Sequence, residues 1–270
     1  MSAQTRRFAV VASVLIAAGG AGEALADGQP APKPGERKSF VACPMVRNTY
    51  VPCWLAEHEG ELYYLGVQGD LNAEFYPPQL GHKALIEGTV SDGPRICGGI
   101  VLEPVHVSVL PELTPSCNTI LPDEGHASPP YHRTPGPSNS EREERADRGP
   151  DLPSRPPAEG VTFVVPFEFD VGERLYSRDS RIVTMAARYA RDVGASRIKV
   201  TGYTGGALLS SGELLKERAV IGELRARNIE TMLRHAGISA DALEVEWREA
   251  EAPDGIDDHL TRRAEIVVMP

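Results

Sequence analysis

The stretch RIKVTGYTGGALLSSGELLKERAVIGELRARNIETMLRHAGI, residues 197–238, decides the fold. It opens on Arg197-Ile198-Lys199-Val200-Thr201-Gly202-Tyr203, where apolar and polar side chains alternate as on a strand with one covered face. It closes on a helix running to about Ala236, with Ile221, Leu224, Ile229 and Leu233 along one side and Gly237 placed to end it. Upstream, Val161-Thr162-Phe163-Val164-Val165-Pro166-Phe167-Glu168-Phe169 reads as another strand. A helix over 178–193 follows, with Ile182, Ala186, Tyr189 and Val193 at helical spacing, Ser177 as its N-cap and Gly194 as its stop. Downstream, Leu243-Glu244-Val245-Glu246-Trp247 and Ala264-Glu265-Ile266-Val267-Val268-Met269 add two more strands. The order is βαβαββ, an α+β sandwich with both helices on one face of the sheet.

The remaining sequence divides around this module. Residues 1–26 carry Arg6-Arg7, an apolar run from Phe8 to Ala18, and Ala24-Leu25-Ala26, the pattern of a cleaved secretory signal. Residues 27–40 form a polar, Pro/Gly-rich flexible lead. Residues 41–120 hold all four cysteines, Cys43, Cys53, Cys97 and Cys117. In an exported chain an even count reads as two disulfides, with three connectivities open, and the absence of C-x2-C spacing argues against zinc. The runs 61–67, 84–90 and 101–110 make this module mostly β. Its later part, GHKALIEGTVSDGPRICGGIVLEPVHVSVL, resembles strands of small oligonucleotide/oligosaccharide-binding (OB) barrels in pattern. Tyr63 and Tyr64 read as core or edge residues of such a barrel. Residues 121–160 contain almost no apolar side chains and are expected to form a Pro-rich linker.

Composition excludes several classes. The chain has 38 acidic and 28 basic residues, a net charge of −10, so it lacks the basic surplus that neutralises a nucleic-acid backbone. The alternating lipid-facing strands of a transmembrane barrel do not fit into 27–160. No G-x-S-x-G elbow, H-E-x-x-H or Walker loop occurs, so no enzyme activity, cofactor or metal is expected. Asp254, Asp257 and Asp258 cluster without calcium-loop spacing and read as an exposed turn.

Residues 161–270 resemble the OmpA-like peptidoglycan-binding domain of bacterial envelope proteins. Phe167-Glu168-Phe169-Asp170 looks like its opening strand. Ile198-Lys199-Val200-Thr201-Gly202-Tyr203-Thr204 is similar to its I-x-V-x-G-[HY]-T. Arg225-Ala226 with the following RNIETMLRHAGI matches its R-A … L … G-I spacing, and Thr261-Arg262-Arg263-Ala264-Glu265-Ile266 its closing N-R-R-V-E-I. Family members hold the diaminopimelate side chain of the stem peptide. An Asp directly after G-H-T takes its ammonium group and the Arg of R-A takes its carboxylate. A zwitterionic ligand needs that pairing of a carboxylate and a planar cation.

The resemblance implies Arg225 as the carboxylate contact and Arg262 as its support, with Asp170 and Thr204 among the ligand-binding residues. It also marks two departures. Gly205 stands where the family has its Asp, and twenty positions separate it from Arg225, more than in the family. The inserted residues bring Glu213 and Glu217. These are either a substitute negative charge or solvent-facing residues on an extended first helical turn. The implied protein is an envelope or periplasmic one, outer-membrane association included, that binds peptidoglycan through a degenerate pocket. The alternatives are an interaction module of the envelope that has lost the wall ligand, or ligand binding by 41–120.

Overall fold

The computed structural model describes residues 31–68, 77–126 and 152–270. The expected leader and most of the expected linker lie outside them. Among the described residues no helix is long and apolar enough to cross a membrane.

The first module is a sheet of seven strands. They are β1 (Arg37–Ala42), β2 (Pro44–Arg47), β3 (Cys53–His58), β4 (Glu61–Val67), β5 (His82–Val90), β6 (Ile100–Leu113) and β7 (Thr119–Leu121). Their order is β1-β5-β6-β4-β3-β2-β7. Only Cys43 separates β1 from β2, yet β1 pairs with β5 and β2 with β3. One segment therefore serves both halves of the sheet, and β1 begins inside the stretch expected to lead into the module. Two disulfides, Cys43–Cys117 and Cys53–Cys97, staple the strands.

The period-two rule gives this module two covered faces. Phe40, Ile86 and Val107 are lateral neighbours across β1, β5 and β6, and all point into the core with Trp54, Tyr63 and Leu65. The alternate rows point the other way. They are Ser39–Glu87–His106 and Val41–Leu85–Ser108. Leu85, Glu87 and Ser108 in these rows are buried too, so something covers that face.

The cover is the second module. It comprises β8 (Val161–Pro166), α1 (Ser177–Asp192), β9 (Arg197–Thr204), β10 (Gly206–Leu208), β11 (Leu214–Lys216), α2 (Ile221–His235), β12 (Leu243–Glu249) and β13 (Arg263–Met269). The main sheet runs β12-β9-β13-β8, with β12 and β9 parallel and the other pairs antiparallel. Phe163, Val165, Ile198, Val200, Ala264, Ile266 and Val268 pack against Val183, Ala186, Ala187 and Ala190 of α1 and Ala226, Ile229 and Leu233 of α2. This is the α+β arrangement with helices on one face. A Cβ at Gly202 would meet the Gly222 carbonyl at 2.0 Å, so a bare backbone there lets α2 close on β9.

Two local expectations are corrected. The N-cap position of α1 is Tyr176, in extended conformation, and Ser177 is the first helical residue. Residues 206–216 do not extend α2 but form the hairpin β10–β11, in register Leu208↔Leu214. The sequence favours this because Ser210-Ser211-Gly212 is turn chemistry, with Gly212 at φ +84°. Helix α2 then starts only at Ile221.

Candidate functional site

The site implied by the resemblance lies where the loop after β8, the end of β9, the hairpin and the start of α2 converge. Arg225 is on the first turns of α2 and is fully buried. Its Nε donates to the Val171 carbonyl at 3.0 Å. Its Nη1 donates to the Tyr203 carbonyl at 2.6 Å and to Glu217 Oε2 at 2.8 Å. Its Nη2 donates to the Glu168 carbonyl at 2.9 Å and to Glu217 Oε1 at 2.5 Å. A guanidinium has five N–H donors, and five bonds to protein acceptors use them. The ring of Phe167 lies 5.2 Å from its carbon. Burial pulls the Arg225 guanidinium below its ordinary pKa, and the Glu217 carboxylate acts in the opposite sense.

Glu217 is held as completely. Besides the Arg225 fork, its carboxylate accepts from the backbone N–H of Asp170 and of Gly205, each at 2.7 Å. Its side chain has no exposed surface. The β10–β11 hairpin thus carries this carboxylate from the side and seats it on Arg225. Gly205 explains why the counter-charge arrives from there. A Cβ at Gly205 would lie 2.6 Å from Thr261 Oγ1 and 3.1 Å from Arg262 Cγ, so this position has no room for a side chain.

Arg262, at the entrance to β13, is buried to 1% and faces the first module. Its Nη1 donates to Glu87 Oε1 and to the Gly206 carbonyl, each at 3.2 Å, and its Nη2 to Glu87 Oε2. Glu87 belongs to β5. The rest of its row docks beside it: Ser39 exchanges hydrogen bonds with Ser210 of the hairpin turn, and His106 stacks on His259 at 3.9 Å. In the next row Ser108 Oγ accepts the Phe169 N–H at 3.0 Å. Leu85, Phe169 and Ala207 form a shared apolar cluster with Val41, Leu110, Leu209 and Leu215. The hairpin therefore serves twice, delivering Glu217 inward and an apolar edge to the first module.

The other candidates divide. Asp170, at φ +57°, accepts from the Arg218 backbone N–H at 2.9 Å and from Arg218 Nε at 2.6 Å. Thr204 Oγ1 accepts the Gly222 N–H at 2.9 Å, from across the β9–α2 contact, and so satisfies one first-turn N–H of α2. Glu213 is exposed in the hairpin turn, away from the Arg225 seat. Asp258, expected in an exposed turn, is instead buried, and its carboxylate takes the N–H groups of Leu208, Asp254 and Gly255. That ties the 254–258 loop to the hairpin. Glu87 was not among the sequence candidates. Its signal was a lone acid inside the apolar run Ala84-Leu85-Ile86-Glu87-Gly88-Thr89-Val90.

No family model matches this chain, and no curated protein does. Similar solved structures cover about two-fifths of this chain. The OmpA-like domain of FopA1 from Francisella tularensis is 17% identical over 42% of this chain and 77% of its own, at a TM-score of 0.34. The peptidoglycan-associated lipoprotein of Burkholderia pseudomallei is 21% identical over 38% of this chain and 87% of its own, at 0.31. The periplasmic domain of Helicobacter pylori MotB is 17% identical over 41% of this chain and 76% of its own, at 0.32.

Proposed function

We propose that this is an exported, non-enzymatic protein of the bacterial cell envelope whose OmpA-like module has its wall-binding arginines turned inward. In this reading the module is an interaction platform, and the occupant of the platform is the chain's own first module. One observation carries it: Arg225 spends all its donors on protein acceptors, with Glu217 bound at both Nη atoms. A stem-peptide carboxylate would have to displace a buried, fully bonded Glu217. Breaking such a pair by removing one partner costs ~3–5 kcal/mol, more than one exposed ligand contact returns. The ammonium end of the ligand fares no better, since Gly205 offers no carboxylate and Asp170 is engaged by Arg218.

A companion reading takes the first module as OB-type, with 37–47 counted as one strand beside β3 to β6 and β7 added next to β2. The segment 37–47 bonds to both β5 and β3, and β4 runs parallel to β6. In this role the barrel presents Glu87 to Arg262 as an internal substitute for a ligand carboxylate.

Co-sedimentation of the full chain with purified sacculi tests the proposal. The protein is expected to stay in the supernatant. Sedimentation that free diaminopimelate-containing stem peptide competes away would overturn it. A wall-binding second reading has one observation in its favour: the acid seated on Arg262 comes from a separate module, so lifting that module frees the fork. Sedimentation by Glu87→Arg but not by wild type would establish it.

A further inference from the structure

The main sheet of the second module ends on β12, which among the described strands pairs with β9 alone. The Ala250 N–H donates to the Thr204 carbonyl at 2.8 Å, and this fixes the direction of the backbone groups before it. The N–H and C=O of one strand residue point the same way, and neighbours alternate. Glu244, Glu246 and Arg248 therefore turn theirs toward β9, while Leu243, Val245, Trp247 and Glu249 turn theirs out of the sheet. The opposite edge is blunted. The Phe167 N–H donates to the Arg262 carbonyl, so Pro166 holds an outward position on β8 and has no N–H to offer there. β12 has no proline or lysine, and its register with β9 is unbroken.

The side chains of this edge complement themselves. Antiparallel pairing of two copies about Glu246 sets Val245 opposite Trp247 twice, with their outward N–H and C=O groups bonded, and Glu244 opposite Arg248 twice. Trp247 is 43% exposed, on the helix side of the sheet, where the Arg227 guanidinium lies 5.3 Å from its ring. Glu244 and Arg248 are exposed on the other side, where Arg248 Nη2 donates to the Tyr203 hydroxyl at 2.5 Å. Glu246 would face its own copy, but its charge is already met by Lys199 Nζ at 2.9 Å and by the Thr201 hydroxyl at 3.1 Å. The neighbouring registers are poorer. One sets Glu244 against Glu246, and the other sets Val245 against Glu249.

We propose that β12 is a self-association edge: two copies of this chain pair antiparallel through 243–249, centred on Glu246, and join their sheets into one. The self-complementary charges favour a second copy over a strand of another protein. The edge uses neither Arg225 nor Arg262, so it stands or falls separately from the inward-turned arginines.

Sedimentation equilibrium of the full chain tests it. A strand edge is a small contact, so mass rising from one chain to two across the micromolar range is expected. Glu244→Arg sets Arg against Arg twice, and Arg248→Glu sets Glu against Glu twice. Each is expected to weaken self-association at least about tenfold without moving the unfolding midpoint. Mixing the two variants restores both opposite-charge pairs, so a mixed dimer of wild-type affinity is expected where neither variant pairs with itself. Should Arg248→Glu disturb the fold, Trp247→Pro is the second probe. It removes an outward N–H and spares the bonds to β9, and only monomer is expected. A monomer at every concentration of wild type, undiminished self-association of Glu244→Arg, or no dimer on mixing two folded variants would overturn the proposal.

Discussion

Arg225 and Arg262 are both buried, yet they are neutralised by opposite routes. Arg225 receives its carboxylate from eight positions away, on a hairpin of its own module. Arg262 receives its carboxylate from 175 positions away, on the other module. The first pair closes a pocket from within. The second closes it by docking. A retained arginine therefore says little about ligand binding until its donors are traced to their acceptors.

That contrast predicts different failures. The largest effect is expected for Glu217→Ala, which strands a buried guanidinium and two backbone N–H groups: a loss of ~3–5 kcal/mol in denaturant unfolding, confined to the second module. An effect below about 1 kcal/mol would break the contrast by making Glu217 incidental. Next comes Glu87→Ala, at roughly 2–5 kcal/mol, because Arg262 is left buried without its partner. Its signature differs, since the docking face loosens and calorimetry is expected to resolve two transitions in place of one.

Gly205→Asp is expected to cost ~1–3 kcal/mol by overpacking against Thr261 and Arg262, and not to confer wall binding. The pH dependence sharpens the picture at the junction. Glu168 has a raised folded pKa, so its contribution is full below about 4.5 and is lost as pH rises through about 8. Between pH 6 and 8 the wild type is expected to lose roughly 2 kcal/mol relative to Glu168→Gln. The smallest effect belongs to Arg218→Ala. Its side chain is 56% exposed, so loss of the Asp170 contact is expected to cost about 1 kcal/mol or less by thermal melting.

The second module was legible because its signals are local and periodic. The runs 161–169 and 197–203 read as strands, and the apolar positions at helical spacing marked both helices; the structure buries Phe163, Val165, Ile198 and Val200 between them. In the first module three runs were visible, but 37–47 was not, because Cys43-Pro44 interrupts its alternation and its two pairings lie in different directions. The hairpin escaped because Leu-Leu-Ser-Ser-Gly-Glu-Leu-Leu has helical residues at either end of a turn, and only the cross-strand register distinguishes the two readings. Glu217 stood between two readings, substitute charge and solvent-facing residue. The sequence did not decide between them, because the deciding contacts with Arg225 and the lack of space at Gly205 are facts of packing. Glu87 was beyond reach for a related reason: its partner is set by how two modules meet, and no local pattern encodes that distance.

The most direct test of the inward-turned arginines is the side-chain Nε–H resonance of Arg225, followed by ¹⁵N NMR in the full chain during titration with meso-diaminopimelate stem peptide. A slowly exchanging Arg225 signal that does not move at any peptide concentration is expected, its donor remaining on the Val171 carbonyl. A saturable shift of that signal, with simultaneous release of the Gly205 N–H from Glu217, would contradict it.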